Sequence, residues 1–357
     1  MTDTTADSIC VYGARIVSKQ AKAMAEEVDG VRESTDIEYI HRMRVATRRL
    51  RSALRIFDDC FGRKAHKKIV KDIRDVTRAL GEARDLDVQL ELLSEEAPKY
   101  KTVRLAPGIK RLQLRLGQRR TKAQEHVVAA MDELEQDQVI EELLAWAEPL
   151  IGNVGEVYLY SPALYQLAFD GVQTQIAELL SHEEYIHDPA NVTQLHEMRI
   201  SAKRLRYTLE AFEDLYGKAL KTYINQVKKL QDLLGTIHDA DVWMEMIPDL
   251  IAEERELILL FFDNERPLRR LLPGLEAFRN DRQALREKTY EEFLVDWKKI
   301  KSSGMLTKLK NVVNAPVNMN QIMKSLQALE ASQTAEPPVE EASVRESKPD
   351  QAEEDAA

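Results

Sequence analysis

The stretch HRMRVATRRLR at residues 41–51 decides the fold of this chain, because it recurs at residues 196–206 as HEMRISAKRLR. The alignment extends beyond these stretches and comprises ten identical residues in 22 positions. A second match aligns LGEARDLDV at residues 80–88 with LGTIHDADV at residues 234–242. Repeats with this separation indicate that one helical unit of about 150 residues occurs twice.

Helical periodicity runs through both copies of the unit. Apolar residues recur at spacings of three and four, alternating β patterns are lacking, and Pro and Gly punctuate the segments. The sequence therefore predicts an all-α protein of two pseudo-symmetric helical bundles with a basic central groove or pore. We place the first bundle at residues 1–150, the second at 151–312, and a linker with a disordered acidic tail at 313–357. The predicted helices span about residues 7–29, 37–60, 64–80, 86–97, 108–135, 163–182, 193–215, 219–234 and 275–300.

Charge is distributed unevenly along the 357 residues, whose net charge is −10. Residues 331–357 hold eight acids, two bases and three prolines, a composition typical of a disordered acidic tail. Residues 41–84, in contrast, hold fourteen Lys or Arg against five Asp or Glu. A net negative charge normally repels polyanions, but this local excess of cations predicts an anion-binding surface.

The cysteine count and the amino terminus indicate a location for the protein. Two cysteines, Cys10 and Cys60, are too few for a disulfide framework and lie in no zinc-binding pattern. The amino terminus has no basic segment followed by an apolar one, and the longest apolar run, Leu257 to Phe262, is far shorter than a bilayer span. We expect a protein of a reducing, cytoplasmic setting with no membrane partner.

The repeated stretch places its cations on one face of a helix. At 100° per residue, Met43, Leu50 and Phe57 fall on the opposite, apolar face. Residues 41–57 contain six arginines and no acid, although like charges at i,i+4 each destabilise a helix by a few tenths of a kcal/mol. Such uncompensated repulsion indicates an anionic ligand. The cationic face comprises His41, Arg44, Arg48, Arg51 and Arg55, and the second copy keeps His196, Arg199, Lys203 and Arg206.

Further cations extend this predicted binding site. A hairpin at Gly62 would bring a second stripe beside the first along one groove, in which Arg gives bidentate contacts to phosphate and Lys a mobile point charge. This second stripe consists of Lys67, Lys71, Arg74 and Arg78, and its weaker counterpart keeps Lys221 and Lys228. Arg84 and His238 occupy equivalent places in the second repeated motif. Arg111 and Arg115 form a later stripe for which a plain solvated surface is an equal alternative.

Taken together, the two pairs of repeated motifs resemble the CHAD domain, a family named for conserved histidines in an α-helical fold. The resemblance covers about residues 8–305. It implies two helical bundles around a central basic cavity or pore that binds inorganic polyphosphate, and association with polyphosphate granules. Some members are fused to a CYTH triphosphate tunnel domain, and the absence of such a segment here makes the chain resemble a stand-alone CHAD protein.

The resemblance maps binding positions onto the first and second copies unequally. Its motif positions fall on the four residues His41, Arg44, Arg48 and Arg51, and on His196, Arg199, Lys203 and Arg206 in the second copy. Glu197 and Glu210 intrude among the latter, so we expect the first half to bind more tightly. The resemblance implies no cofactor.

A metal-dependent phosphohydrolase of the HD type is the main alternative from another class. Its ligands would come from His187, His196, His238, Asp239 and Asp241. The repeat argues against it, because Arg84 stands where the second copy has His238, and Arg is not a metal ligand. We expect the repeated aspartates to orient basic side chains or to cap a helix, and we expect no enzymatic activity.

Two binding alternatives remain open. An arginine groove suits any phosphodiester chain, but binders of single-stranded nucleic acid usually add aromatic platforms for the bases. Only 6% of this chain is aromatic, and Tyr207 is the one candidate inside a repeated motif, which argues against nucleic acid. The groove could also serve as a scaffold that docks an acidic protein segment, including residues 331–357.

Overall fold

A computed structural model of the protein describes residues 4–34, 36–152 and 161–314. Over these ranges the chain consists of α-helices joined by short turns and contains no strand, which confirms the predicted all-α class. The predicted linker and acidic tail fall, except for residues 313–314, outside the described residues. None of the helices found here is long and apolar enough to cross a bilayer.

The first repeat contributes six helices in the order α1 (Thr4–Ala25), α2 (Val28–Glu33), α3 (Ile37–Ile56), α4 (Arg63–Glu96), α5 (Ala106–Gln136) and α6 (Val139–Gly152). The second repeat contributes α7 (Pro162–Leu180), α8 (Val192–Ala211), α9 (Glu213–Tyr216), α10 (Lys218–Phe262), α11 (Arg266–Ser302) and α12 (Met305–Val313). The cationic stretch beginning at His41 therefore lies on α3, and its copy beginning at His196 lies on α8.

The packing of the helices follows the sequence repeat. Helix α1 packs on α3 and α6, α3 on α4, and α4 on α5; likewise α7 packs on α8 and α12, α8 on α10, and α10 on α11. The predicted pseudo-symmetry of two helical bundles is thus confirmed. Helices α3 and α8 also pack against each other, and the equivalent rings of Phe57 and Phe212 lie 6.1 Å apart at this junction.

Local sequence explains where two of these helices begin. The Asp36 carboxylate accepts a hydrogen bond of 2.9 Å from the Glu38 N–H and so caps α3. The Ser161 hydroxyl accepts from the Leu164 N–H at 3.2 Å and caps α7, whose first residue is Pro162. Such caps satisfy N–H groups that have no partner within the helix, and Pro has no N–H to satisfy.

The apolar residues form two cores that do not follow the repeat boundary. One core combines residues of α1 to α6 with Trp243 of α10 and Phe278 of α11. The other combines residues of α7 and α8 with Phe293 of α11 and Leu309 of α12. The predicted boundary at residues 150–151 lies in the last turn of α6. The chain up to Ala315 forms one compact unit, so this boundary stays a prediction that concerns the sequence repeat.

Several glycines and prolines lie inside helices that the sequence predicted to end there. Helix α4 runs through Gly81, and α10 runs through Gly235 and Pro248. Pro248 lies between buried Ile247 and Leu250, whose burial stabilises the fold by about 3–6 kcal/mol. This offsets the cost of about 3 kcal/mol for an interior proline. Pro149 in α6 and Pro273 in α11 are likewise interior.

The two cysteines are bonded to each other, contrary to the expectation drawn from their number. Cys10 of α1 and Cys60, in the turn between α3 and α4, form a disulfide with their α-carbons 5.3 Å apart. Fifty residues separate them in sequence, but the packing of α1 on α3 brings them together. Because disulfides persist mainly in oxidising compartments, the cysteine count no longer supports a reducing setting.

Candidate anion-binding site

A cationic groove lies where α3 and α8 meet, and we define it by Arg44, Arg48, Arg51 and Arg55 of α3 with Arg199 and Lys203 of α8. All six come from the two copies of the repeated stretch. Arg44, Arg48 and Arg199 are close enough to Lys203 to disfavour its charge. The structure therefore brings these predicted site residues of the two repeats together.

The pKa of Lys203 reflects the excess positive charge of the groove. Desolvation, followed by the charges of Arg199, Arg48 and Arg44, lowers the pKa of Lys203 to about 6, and Asp239 opposes this shift only in part. Burial also lowers the pKa of Arg199 and of Arg44. A site in which burial and like charges disfavour protonation gains stability when an anion arrives.

Equivalent glycines make room for the two central arginines. A Cβ atom added at Gly81 would lie 2.5 Å from Nη1 of Arg44, so the guanidinium rests directly on α4. There Arg44 donates to Asp85 at 3.1 Å. Gly235 of α10 faces Arg199 in the same way at a longer 3.8 Å, and the Nε atom of Arg199 is buried with no hydrogen-bond partner. Arg199 consequently retains an unused donor.

The groove opens into a first cavity of about 450 Å³ between α3, α4 and α8. Its charged residues are Asp58 and the five cations Arg48, Arg51, Arg55, Lys203 and Arg204. The remaining lining residues are Ser52, His66, Val70, Ile200 and Tyr207. The pKa of Arg55 is lowered, first by burial and then by Arg204, and Glu178 only partly offsets this. The volume lies within the range of small-ligand sites.

The predicted second stripe lies on α4, beside the groove. Arg74 lies near enough to Arg51 to lower its pKa, although desolvation of the Arg51 guanidinium contributes more. Asp75 partly compensates the stripe, because Lys71, Arg74 and Arg78 all lie within 3.4–3.8 Å of its carboxylate. Lys67 and Lys228 are exposed on α4 and α10. Arg84 is half-buried, and its Nη1 atom has no hydrogen-bond partner.

His41 and His196, which occupy equivalent places in the two copies, differ in their surroundings. His41 is exposed. His196 and His238 contact each other through their Nδ1 atoms at 3.0 Å. Desolvation, Arg199, His196 and Lys203 lower the pKa of His238 to about 4, and desolvation with Arg199 and Lys203 also lowers the pKa of His196. This pair is therefore neutral near pH 7 in the free protein.

Asp87 and Asp241, one equivalent pair of the repeated aspartates, orient basic side chains, which is one of the two predicted roles, and neither caps a helix. Asp87 accepts a hydrogen bond of 2.6 Å from Arg120 of α5. The equivalent Asp241 accepts one from Arg286 of α11. Both lie in helix interiors. Asp87 therefore ties α4 to α5, and Asp241 ties α10 to α11.

Other predicted site residues have partners within the protein. Arg111 and Arg115 bind the buried carboxylate of Glu254, the former at 3.2 Å. Their charge is compensated there, so they are not included in the cationic groove. Arg206 lies 3.6 Å from Glu210, and Lys221 lines a separate second cavity. In the residues that the structure describes, no three His, Cys, Asp or Glu side chains cluster as metal ligands.

Arg204, Ser52 and His66 are among the residues of the first cavity that sequence reasoning missed. Arg204 follows Lys203 directly, and its place in the repeated stretch was a signal that could have identified it. Ser52 and His66 carried no such signal. They line the cavity because α3 and α4 pack together, and the Ser52 hydroxyl is buried there with no hydrogen-bond partner.

The chain is similar to known proteins in sequence and in fold. A family model of the CHAD domain matches residues 15–248. The uncharacterized proteins MT2285 and Rv2226, from two strains of Mycobacterium tuberculosis, are each 27% identical over 248 residues, covering 67% of this chain and 45% of each relative. The chain thus spans less than half the length of these relatives.

Two solved structures share the fold. The crystal structure of the CHAD domain from the plant Ricinus communis has a TM-score of 0.54 and 21% identity, covering 87% of this chain and 92% of that one. PptA from Streptomyces chartreusis has a TM-score of 0.56 and 17% identity, covering 82% of this chain and 99% of that one. Similarity at these identities concerns the fold alone.

Proposed function

Since a CHAD model matches most of this chain, it belongs to the CHAD domain family, and we propose that it binds inorganic polyphosphate in the cationic groove without hydrolysing it. The observation that carries the proposal is the packing of α3 against α8, which brings Arg44 and Arg48 close to Arg199 and Lys203. The lowering of the pKa of Lys203 to about 6 supports it. Such a cluster is costly to maintain in the free protein. A polyanion would compensate all of these charges at once.

The lining of the groove favours a phosphate chain. Arginine donates bidentate hydrogen bonds to phosphate oxygens, and Arg199 has a buried Nε donor without a partner. Among the residues lining the first cavity, Tyr207 and His66 are the only rings, whereas single-stranded nucleic acids are usually bound on several aromatic platforms. Polyphosphate presents no bases, and it fits a surface made mainly of cations.

The proposal of a non-catalytic role rests on the surroundings of two candidate metal ligands, Asp241 and His238. Asp241, a candidate ligand in the phosphohydrolase alternative, is held by Arg286. His238 contacts His196 beside Arg199 and Lys203, where neighbouring positive charges oppose a metal cation. On the strength of the family resemblance we propose that the protein associates with polyphosphate granules. The cytoplasmic setting stays a prediction, because the Cys10–Cys60 disulfide removes the support that the cysteine count gave it.

Titration of the full chain with long-chain polyphosphate at several salt concentrations tests the proposal. We expect affinity to fall steeply between about 50 and 200 mM salt because counterions are released, and we expect RNA to compete poorly. A parallel assay with added Mg²⁺ or Mn²⁺ should detect no phosphate release. Salt-independent binding, equal competition by RNA or metal-dependent release of phosphate would each contradict the proposal.

A further inference from the structure

The first cavity has a pseudo-symmetric counterpart on the second repeat. This second cavity encloses about 340 Å³ between α1, α3, α8, α9 and α10. Its charged lining residues are Lys19, Arg49, Glu210, Glu213, Asp214 and Lys221. In the alignment of the repeats, Glu210 matches Arg55 and Glu213 matches Asp58, and both of these first-repeat residues line the first cavity. Tyr207 lines both cavities.

The two cavities differ sharply in charge. The first has five Lys or Arg against one acid, and the second has three Lys or Arg against three acids. The exchange of Arg55 for Glu210 is the largest single contribution, because it replaces a cation by an anion at the same place in the repeat. An anion attracted to the first cavity therefore meets no comparable attraction in the second.

Glu210 also pairs with two cations of the repeated stretches, of which Arg49 lines the second cavity. One carboxylate oxygen of Glu210 accepts a hydrogen bond of 3.2 Å from Nε of Arg49. The other lies 3.6 Å from Nε of Arg206. Glu210 and Arg206 are largely buried, with 18% and 15% of their side chains exposed. In the first repeat, the corresponding Arg55 instead lies beside a second cation, Arg204.

We propose that Glu210 confines the polyanion to the first cavity and the groove, so that polyphosphate engages this protein from one side only. The inference rests on the proposed function and identifies a specificity-determining residue for it. Glu210 acts in two ways: its carboxylate repels phosphate, and it keeps Arg49 and Arg206 from phosphate oxygens. The chain of phosphates then follows α3 and α4 and does not continue past Tyr207 into the second cavity.

Titration of full-length Glu210→Gln and Glu210→Arg with long-chain polyphosphate tests this inference. Glu210→Gln should bind at least threefold more tightly than the wild type, because two cations become available. Its plot of log affinity against log salt should steepen by about 1 to 2. Glu210→Arg should strengthen binding further, because it restores the first repeat's cation. Circular dichroism spectra establish that both variants fold.

The control is Glu197→Gln. This variant removes the acid that follows His196 in the second copy of the repeated stretch, at an exposed position. This variant should bind like the wild type. If both Glu210 variants bind polyphosphate with the affinity and salt slope of the wild type, the inference is wrong while the proposed function stands. If the wild type itself does not bind polyphosphate, both are wrong.

Discussion

At the scale of single residues, Lys203 reports on the state of the groove. Its pKa of about 6 means that the free protein holds it mostly neutral at pH 7.5. A bound polyanion favours the charged form and raises the pKa of Lys203. Binding at this pH therefore takes up protons, and apparent affinity decreases as the pH rises from 6 to 8.

Calorimetry in two buffers with different ionisation enthalpies measures this proton uptake. We expect the wild type to take up about one proton at Lys203 on binding polyphosphate at pH 7.5, with additional uptake from His196 and His238, whose pKa values are also lowered. Lys203→Met should reduce the uptake by about one proton. The same change at exposed Lys308 is the control. Equal uptake by wild type and Lys203→Met would show that Lys203 is already charged in the free protein.

At the scale of helices, the groove depends on how closely α3 approaches α4. Gly81→Ala places a methyl group 2.5 Å from Nη1 of Arg44, and a flexible guanidinium can only move aside. We expect polyphosphate affinity to fall severalfold while helical content is retained, because Ala favours a helix over Gly by roughly 0.5–1 kcal/mol.

Gly235→Ala is the matched control for this prediction. Its new methyl group would lie 3.8 Å from Nε of Arg199, an ordinary contact. Affinity should remain near that of the wild type. If Gly81→Ala and Gly235→Ala reduce affinity equally, or if neither reduces it, the seating of Arg44 on Gly81 does not matter for binding.

The disulfide joins α1 to the turn between α3 and α4, and its removal affects stability. Closing a loop of 50 residues stabilises a protein by about 2–4 kcal/mol. Cys10→Ser should therefore lower the free energy of unfolding by about that amount in urea titrations without reductant. Reductant should lower the stability of the wild type to that of the variant. Equal stability of wild type and Cys10→Ser without reductant would contradict this.

Helix type and order follow from the sequence more reliably than helix ends or contacts across the fold. The periodicity around Leu50 and Phe57 identified α3, and the repeat identified α8. Gly81 suggested a break because glycine weakens helices, but here it admits a guanidinium from another helix. The disulfide between Cys10 and Cys60 and the ion pair between Arg115 and Glu254 depend on packing between helices, which no local sequence pattern encodes.

At the scale of the whole molecule, the duplicated unit has become asymmetric. Both copies contribute cations to one groove between α3 and α8, but Arg55 and Glu210 give the flanking cavities different charge. From Glu197 and Glu210 the sequence predicts tighter binding by the first half, which stays a prediction about affinity. Of these two acids, Glu210 lines the second cavity, and Glu197 is exposed.

The length of the groove sets how ligand size affects affinity. Arg44 and Arg55, the outermost groove residues of α3, are eleven positions apart, a span of about 16.5 Å at the helical rise of 1.5 Å per residue. A triphosphate reaches only one or two of these arginines. A longer chain gains further contacts at high effective concentration, so affinity should increase with chain length and then level off.

Isothermal titration with length-sorted polyphosphate, on the wild type and on the triple variant Arg44→Ala, Arg48→Ala and Arg51→Ala, tests the central claim most directly. The account predicts weak binding of pyrophosphate and triphosphate and tight binding of long chains by the wild type. In the triple variant, long chains should lose at least tenfold in affinity, and the salt slope should fall by about 2 to 3. Equal affinity of the wild type for triphosphate and long chains, or unchanged binding by the triple variant, would contradict it.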